Sequence, residues 1–402
     1  VEGDRNDHGN ALCAKRTPQV GVDIPMTISM SLDAPEVQNA IHPAAHDAAF
    51  VSHIAGVGTA VPAESYSQQE LLDIFQITDP RISSVFLNSA IQQRHLCLPP
   101  PGPGGTRVLE SQGDLLNKHK VVAVDMGARA LDACLRDVGA ELSDIGCLCC
   151  VTSTGFLTPG LSALLIRKLG IPPQCHRLDV VGMGCNAGLN ALGVTAGWSV
   201  AHPGQLAIVL CAEACSAAYV FDSSMRTAVV NSLFGDGAAA LALVAGPGAG
   251  LAPGSPGPQI LSFESYIITD ALDAMRYDWD GEQGKFSFFL DPDIPYVVGA
   301  HAELVIDRLL SGAGLRRTDI SHWLVHSGGK KVIDAIRVNL GLTRHDVRHT
   351  TGVLRDYGNL SSGSFLFSYE RLVSEGVTRP SDYGVLMTMG PGSTIEMALV
   401  RW

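Results

Sequence analysis

The stretch HRLDVVGMGCNAGLNALGVTAGWSVA, His176 to Ala201, changes its period halfway along. Its first part is a short run of β type and its second is rich in Ala, Gly and Leu, so it predicts a strand that turns into a helix. The turn itself, VGMGCNAG from Val181 to Gly188, admits two chemistries. Gly182, Gly184 and Ala187 satisfy the spacing of a dinucleotide loop, and Glu213 closes the next strand, where a ribose would meet an acid. Against this, Glu213 lies farther along than the usual ~20 residues, and such a loop normally opens a domain. In the other reading the glycines make a tight turn that presents Cys185 beside the unpaired N–H groups of the helix start, whose dipoles favour a thiolate. A cysteine among ten is more often a packing residue, so this reading requires a partner base.

The same alternation runs outward in both directions. SHIAGVGTAV (Ser52 to Val61) reads as a strand, SQQELLDIF as a helix opened by a Ser67/Glu70 capping box, and His119 to Val138 as an amphipathic helix closed by Gly139. GCLCCVTSTG, SALLIRKLG and GQLAIVLCAE continue the strand and helix order up to Glu213. The Gly/Pro-rich segment Ala245 to Gln259 has no apolar period and marks a linker or long surface loop. Beyond it the order resumes: VVGAHAELVIDRLLSGAG (helix), HWLVHSGG (strand ending at His326), KKVIDAIRVNLG and GSFLFSYERLVSEG (helices), then YGVLMTMG and TIEMALVRW (strands). The expected organisation is a loosely ordered tail over residues 1–47, an N-terminal half over 48–248 and a C-terminal half over 249–402, two variations on one α/β plan.

Composition narrows the classes of function. A chain of 402 residues with 46% hydrophobic content can bury a large core, and a formal charge of −12 disfavours nucleic-acid and anionic-membrane partners. Ten cysteines without paired zinc knuckles, no signal-peptide pattern and no apolar run of membrane-spanning length predict a cytoplasmic protein with free thiols and no metal. CLCC, Cys147 to Cys150, sits between apolar residues and reads as buried strand.

Two residues of the second half complete the case for Cys185. His326 ends a strand in LVHSGGKK, where a histidine can be presented at a sheet edge, and Asn359 lies in the Gly/Ser-rich turn DYGNLSSGSF, suited to donating hydrogen bonds to an oxyanion. Each alone reads equally as a satisfied loop His or a capping Asn. Together they resemble the Cys-His-Asn site of the thiolase fold. GMGCNAG, LFGDGAAAL, VHSGGKKVID, YGNLSSGSFLF and MGPGSTIEMAL resemble, in order, the type III polyketide synthases, the chalcone synthase-like enzymes, over residues 54–402.

That resemblance implies a thiolase-like α/β fold, two related βαβαβαββ halves in a layered α-β-α-β-α core. It implies an acyltransferase in which Cys185 attacks malonyl-CoA, His326 keeps it a thiolate, and Asn359 joins His326 in stabilising the thioester oxyanion and the enolate left by decarboxylation. Phe234 and Phe288 fall on the gatekeeping phenylalanines, with Phe286 and Phe289 close enough to compete for the second role. Thr154, Cys215, Ala218, Ser361 and Met389 fall on pocket-lining positions, and TMGPG stands where the family has GFGPG. Thr158 falls where the family crosses a dimer interface, which implies a homodimer.

The basic run that holds coenzyme A in the family is mostly neutral here (NSAIQQRH), leaving Arg94, so Lys330 and Lys331 are the candidates for charge at the tunnel mouth. Four two-carbon units would give an eight-carbon poly-β-keto chain that closes to a dihydroxyphenyl ring. No cofactor is implied beyond the coenzyme A thioester substrates, and helper proteins resembling enoyl-CoA hydratases are possible partners. Another small phenolic or pyrone product, or a ketoacyl synthase III-like condensation, are the alternatives; HSGGKK in place of an HQAN-like motif speaks against the last. A papain-like hydrolase would need a CGSCW environment, and a non-catalytic thiolase-fold subunit would have no use for all three polar residues.

Overall fold

A computed structural model describes residues 51–105, 108–222, 224–246 and 257–402. The tail expected over residues 1–47 and most of the linker Ala245 to Gln259, including the division at residue 248, lie outside them. The described residues form thirteen strands: β1 (Ser52–Ala60), β2 (Ser65–Ser67), β3 (Gln93–His95), β4 (Ile145–Thr152), β5 (His176–Val181), β6 (Leu206–Glu213), β7 (Gly237–Ala245), β8 (Gln259–Ile267), β9 (Met275–Asp280), β10 (Lys285–Leu290), β11 (Ile320–Val325), β12 (Tyr383–Gly390) and β13 (Thr394–Arg401). Nine of them join in the order β11-β12-β13-β8-β1-β7-β6-β4-β5. Strands before the linker fill one end of this order and strands after it the other, and the two ends touch between β1 and β8 through the pair His53 and Gln259.

Side-chain alternation along the central strands sorts the core into layers. Leu148 and Cys150 of β4, Ile208 and Leu210 of β6, and Ala240 and Ala242 of β7 pack with Ala123, Met126, Leu131 and Leu135 of the helix Gln112–Val138. Their neighbours Cys147, Cys149, Val209, Cys211, Leu241 and Leu243 face the other way, onto the helices Ala187–Ala201 and Ser364–Glu375. Leu324, Leu386, Ala398 and Val400 of the C-terminal strands close this middle layer from the far side. Trp323, Val325, Val385, Met387 and Leu399 then turn outward onto the helices Ile294–Ser311 and Lys330–Asn339. The result is helix, sheet, helix, sheet, helix, the thiolase-like α/β arrangement.

Being buried between two sheets is why Ala187–Ala201 carries no charged residue and no polar stripe. Each fully buried Leu of these layers contributes ~1.5–3 kcal/mol, and CLCC sits in this core with Cys147, Cys149 and Cys150 all buried.

The capping box is present, with the Ser67 N–H donating to Glu70 Oε2 at 2.7 Å and the Glu70 N–H to Ser67 Oγ at 3.2 Å. Gly139 closes its helix in the left-handed region at φ 67°. That helix starts seven residues earlier than its apolar period suggests, at Gln112, because a second capping box on Ser111 and Asp114 supplies a polar first turn. β11 ends at Val325, so His326 stands just past the strand. The hairpin β9–β10 and the helices Met225–Leu233 and Arg348–Tyr357 are not predicted by the periodicity.

Candidate active site

β4, β5 and β6 run parallel, as do β11 and β12, so the segments leaving their carboxyl ends gather at one place. After β5 the chain turns through Gly182 (φ 84°) and Gly184 (φ 73°), both in the left-handed region that favours glycine. A Cβ on Gly184 would also come within 2.3 Å of Pro391, which follows β12. Cys185 sits in the short turn Gly184–Asn186 at the start of the helix Ala187–Ala201, 7% exposed. The glycines of this stretch therefore act as turn-makers for a cysteine.

Cys185 opens onto a cavity at the carboxyl ends of these strands. From the site expected on sequence, Thr154, Cys215, Ala218, Phe234, Phe288 and Ser361 line it with Cys185. The rings of Phe234 and Phe288 meet edge to face, 5.9 Å apart at 87°, which assigns the second aromatic position to Phe288. Phe286, by contrast, is 51% exposed and packs on Trp279, and Phe289 lies against Arg276. Ser361 adopts φ 51°, a conformation that costs a residue with a Cβ roughly 1–2 kcal/mol, and its Oγ lies 3.6 Å from Cys185 Sγ.

His326 and Asn359 meet at Gly328. A Cβ on Gly328 would lie 3.1 Å from His326 Cδ2 and 3.4 Å from Nε2, and the Gly328 carbonyl accepts a long hydrogen bond, 3.4 Å, from Asn359 Nδ2. The other end of the amide is held: Asn359 Oδ1 accepts from the Ser361 N–H at 2.9 Å. The Asn359 backbone exchanges hydrogen bonds with the segment around Phe234, from its own N–H to Leu233 O and from the Gly235 N–H to its carbonyl, each 2.9 Å. One short turn thus orients Asn359 and Ser361 and abuts Phe234. His326 Nδ1 has no partner.

Burial dominates the electrostatics. It pushes the Cys185 thiol up to about 12, with the charge of Glu213 adding to the rise and the Ser361 hydrogen bond opposing it. It pushes the His326 imidazole down to about 3. Both shifts favour the neutral forms, so the helix-start dipoles expected to favour a thiolate are outweighed in the resting site.

Glu213, met on sequence only as a possible ribose ligand, is a fully buried carboxylate that ties the cavity wall together. It accepts from the Ser153 N–H at 2.9 Å, Thr154 Oγ1 at 3.0 Å and Ser362 Oγ at 2.5 Å, and so joins the ends of β4 and β6 to the turn after Asn359. His119 completes the network, with Nδ1 3.2 Å from Thr154 Oγ1. No sequence pattern marks Glu213 for this role, because its partners come from two segments, one about sixty residues before it and one about a hundred and fifty after. Tyr277, another lining residue that sequence reading missed, enters through the unpredicted hairpin.

The remaining expected residues stand elsewhere. Met389 is buried in the core and is not part of the cavity wall. Thr158 is exposed in the loop after β4, joined to Pro159 by a cis peptide bond. Lys330 and Lys331 are exposed at a helix start, Lys330 paired with Asp334 at 3.2 Å. Arg94 requires a correction: it is 0% exposed and cannot meet a coenzyme A phosphate. Its guanidinium donates inward to Tyr219 Oη (2.8 Å), Asn231 O (2.7 Å), Phe234 O (2.7 Å) and Gln68 Oε1 (2.9 Å), so it holds the backbone beneath Phe234. Among the described residues, no group of His, Cys, Asp or Glu is placed to hold a metal, and no helix is long and apolar enough to cross a membrane.

Comparison with known proteins gives the family. Residues 104–247 match the family model for chalcone and stilbene synthases, N-terminal domain, and residues 279–402 match that for the C-terminal domain. The chain belongs to the chalcone and stilbene synthase family. It is 75% identical over 352 residues, 88% of this chain and 93% of the relative, to a 3,5-dihydroxyphenylacetyl-CoA synthase of Amycolatopsis balhimycina. It is 69% identical over 390 residues, 95% of this chain and all of the relative, to one of Streptomyces toyocaensis. Among solved structures, the C-terminal type III polyketide synthase domain of Steely1 from Dictyostelium superposes with a TM-score of 0.80 at 29% identity, covering 87% of this chain and 99% of that one. The chain is thus a type III polyketide synthase of thiolase-like fold.

Proposed function

We propose that the protein condenses four molecules of malonyl-CoA by decarboxylative Claisen steps on Cys185 and closes the eight-carbon chain to 3,5-dihydroxyphenylacetyl-CoA. The observation that carries this reading is 69–75% identity, over nearly the whole length, to relatives bearing that name. Cys185 accepts the acyl group as coenzyme A leaves. His326, the histidine of the family's motif, is the group proposed to take the Sγ proton as the thioester is attacked, from a site in which burial leaves both thiol and imidazole neutral. Loss of CO₂ from the next malonyl unit leaves an enolate on its thioester oxygen, and the N–H donors of His326 and Asn359, brought together at Gly328, stabilise it. Phe234 and Phe288 place apolar rings where the carboxylate stands and favour its departure as neutral CO₂. The enolate carbon attacks the acyl carbonyl on Cys185, which frees Sγ and leaves the extended chain on coenzyme A, and the chain returns to Cys185 for each further unit. After four decarboxylations the terminal carbon of the eight-carbon coenzyme A thioester bonds to the ketone carbon nearest the thioester methylene, water is lost, and enolisation leaves the ring.

Lys330 and Lys331 supply exposed charge for the coenzyme A phosphates. A homodimer is the assembly proposed. In support, β5 is an edge strand with Leu178 and Val181 exposed, and Phe156 beside Thr158 is 73% exposed. The functional test is incubation of the purified protein with malonyl-CoA as sole acyl donor, read by mass spectrometry. 3,5-Dihydroxyphenylacetyl-CoA or its acid is expected; a pyrone as the main product overturns the product, and no polyketide at all overturns the reading.

A further inference from the structure

The cavity wall contains four hydroxyls. Thr154 Oγ1 donates to Glu213 at 3.0 Å, Ser361 Oγ lies 3.6 Å from Cys185 Sγ at the base of the cavity, and Ser153 Oγ is buried and has no partner. The fourth belongs to Tyr277. It stands opposite Phe288 in the β9–β10 ladder, so both side chains leave the same face of the hairpin. Their rings pack at 5.0 Å, and Phe288 in turn meets Phe234. The three form an aromatic row over the cavity in which only Tyr277 carries a polar atom. The residue is 42% exposed and lines the cavity together with Phe234, Phe288, Cys185 and Cys215; burial of its phenol and the nearby Cys215, Glu213 and Cys185 act on it together. Those influences all push its ionisation up, so it stays a hydrogen-bond donor at any pH where the enzyme works.

The substrate of this wall, on the function proposed above, is a poly-β-keto thioester. Such a chain has a ketone acceptor at every second carbon and no strong donor. A wall of Cys215, Ala218, Val230, Pro391 and phenylalanine offers it shape without polar register. One available donor suffices to choose among otherwise equivalent folds of the chain.

We propose that Tyr277 is a positioning residue for ring closure, its phenol donating a hydrogen bond to a ketone oxygen of the full-length chain in the cavity and thereby holding the fold that leads to the carbocyclic aromatic ring. The proposal rests on the polyketide function and adds the determinant of its product.

The test is Tyr277→Phe, which keeps the ring and its packing on Phe288 and removes one oxygen. Malonyl-CoA consumption and the ratio of dihydroxyphenylacetyl product to pyrones are measured together. The ratio is expected to fall about fivefold or more, the equivalent of one lost hydrogen bond, and by more than any fall in consumption. An unchanged ratio overturns the proposal, including the case in which only Tyr277→Ala changes it, because volume would then set the product. An equal loss of consumption and product overturns it too, by placing Tyr277 in the condensations. Failure of the unsubstituted enzyme to make any polyketide would instead refute the underlying function.

Discussion

Two buried polar clusters adjoin the cavity, one through Thr154 and the other through Cys185 and Ser361, and they are built on opposite principles. Around Glu213 the carboxylate accepts from Ser153, Thr154 and Ser362 at 2.5–3.0 Å. Around Cys185 and in the segments of His326 and Asn359 the contacts are sparse: one 3.6 Å approach of Ser361 Oγ to Cys185 Sγ, a 3.4 Å bond from Asn359 Nδ2 to the Gly328 carbonyl, and a His326 Nδ1 with no partner. A saturated network rigidifies the segments it joins, whereas donors left weakly engaged remain available to a substrate. The first cluster holds the wall, and the second is left for chemistry.

Substitutions should separate the two. Cys185→Ala should lower product formation about a thousandfold or more, while the denaturation midpoint moves by less than ~1 kcal/mol, since Sγ makes only one long polar contact. Comparable losses of stability and activity would erase the contrast. Glu213→Ala should behave in the reverse sense, costing about 3 kcal/mol of stability because three donors lose one acceptor. Chemical denaturation reads this directly, and a stability equal to that of the parent would show the network to be dispensable.

A finer cut concerns the proton on Cys185. With burial alone the thiol stands at about 12, so the thiolate population falls tenfold for each pH unit below that value. Alkylation by iodoacetamide near neutrality therefore depends on His326 taking the proton. His326→Ala should slow it at pH 7 by about tenfold or more, and the gap should narrow as pH rises; equal rates at pH 7 would remove His326 from the reaction. The smallest effect is expected outside the cavity. Reversing charge in Lys330→Glu and Lys331→Glu should raise the malonyl-CoA KM by a few fold, with kcat little changed and the effect weakened by salt. An unaltered KM would remove both lysines from coenzyme A binding.

Much of the fold was legible in the chain. Strands β1, β4, β5, β6, β11, β12 and β13 and the helices between them followed their periods closely, whereas β7, β8 and the helices Met225–Leu233 and Arg348–Tyr357 were not read. Where the signal was turn chemistry, as at Ser67/Glu70 and Gly139, the reading was equally direct, because a cap depends on residues three or four apart. The hairpin β9–β10 escaped because its exposed faces mix Trp279 and Phe286 with charges, so no clean alternation marks it. Tyr277 escaped with it. Arg94 misled for a related reason: an arginine in a polar run looks like a surface cation, and only the convergence of Gln68, Tyr219, Asn231 and Phe234 makes it an internal strut.

By itself the sequence determined the α/β order, the glycine turn that presents Cys185 and, through several ordered motifs, the family. These are local properties, set by the spacing of apolar residues and by backbone positions only glycine adopts easily. Only the tertiary structure decided that Phe288 and not Phe286 meets Phe234, that Glu213 ties both halves of the wall, that Arg94 is enclosed, and that Tyr277 joins the cavity wall. Each depends on desolvation and on partners more than a hundred residues away or in another element, and neither is encoded in any one stretch of the chain.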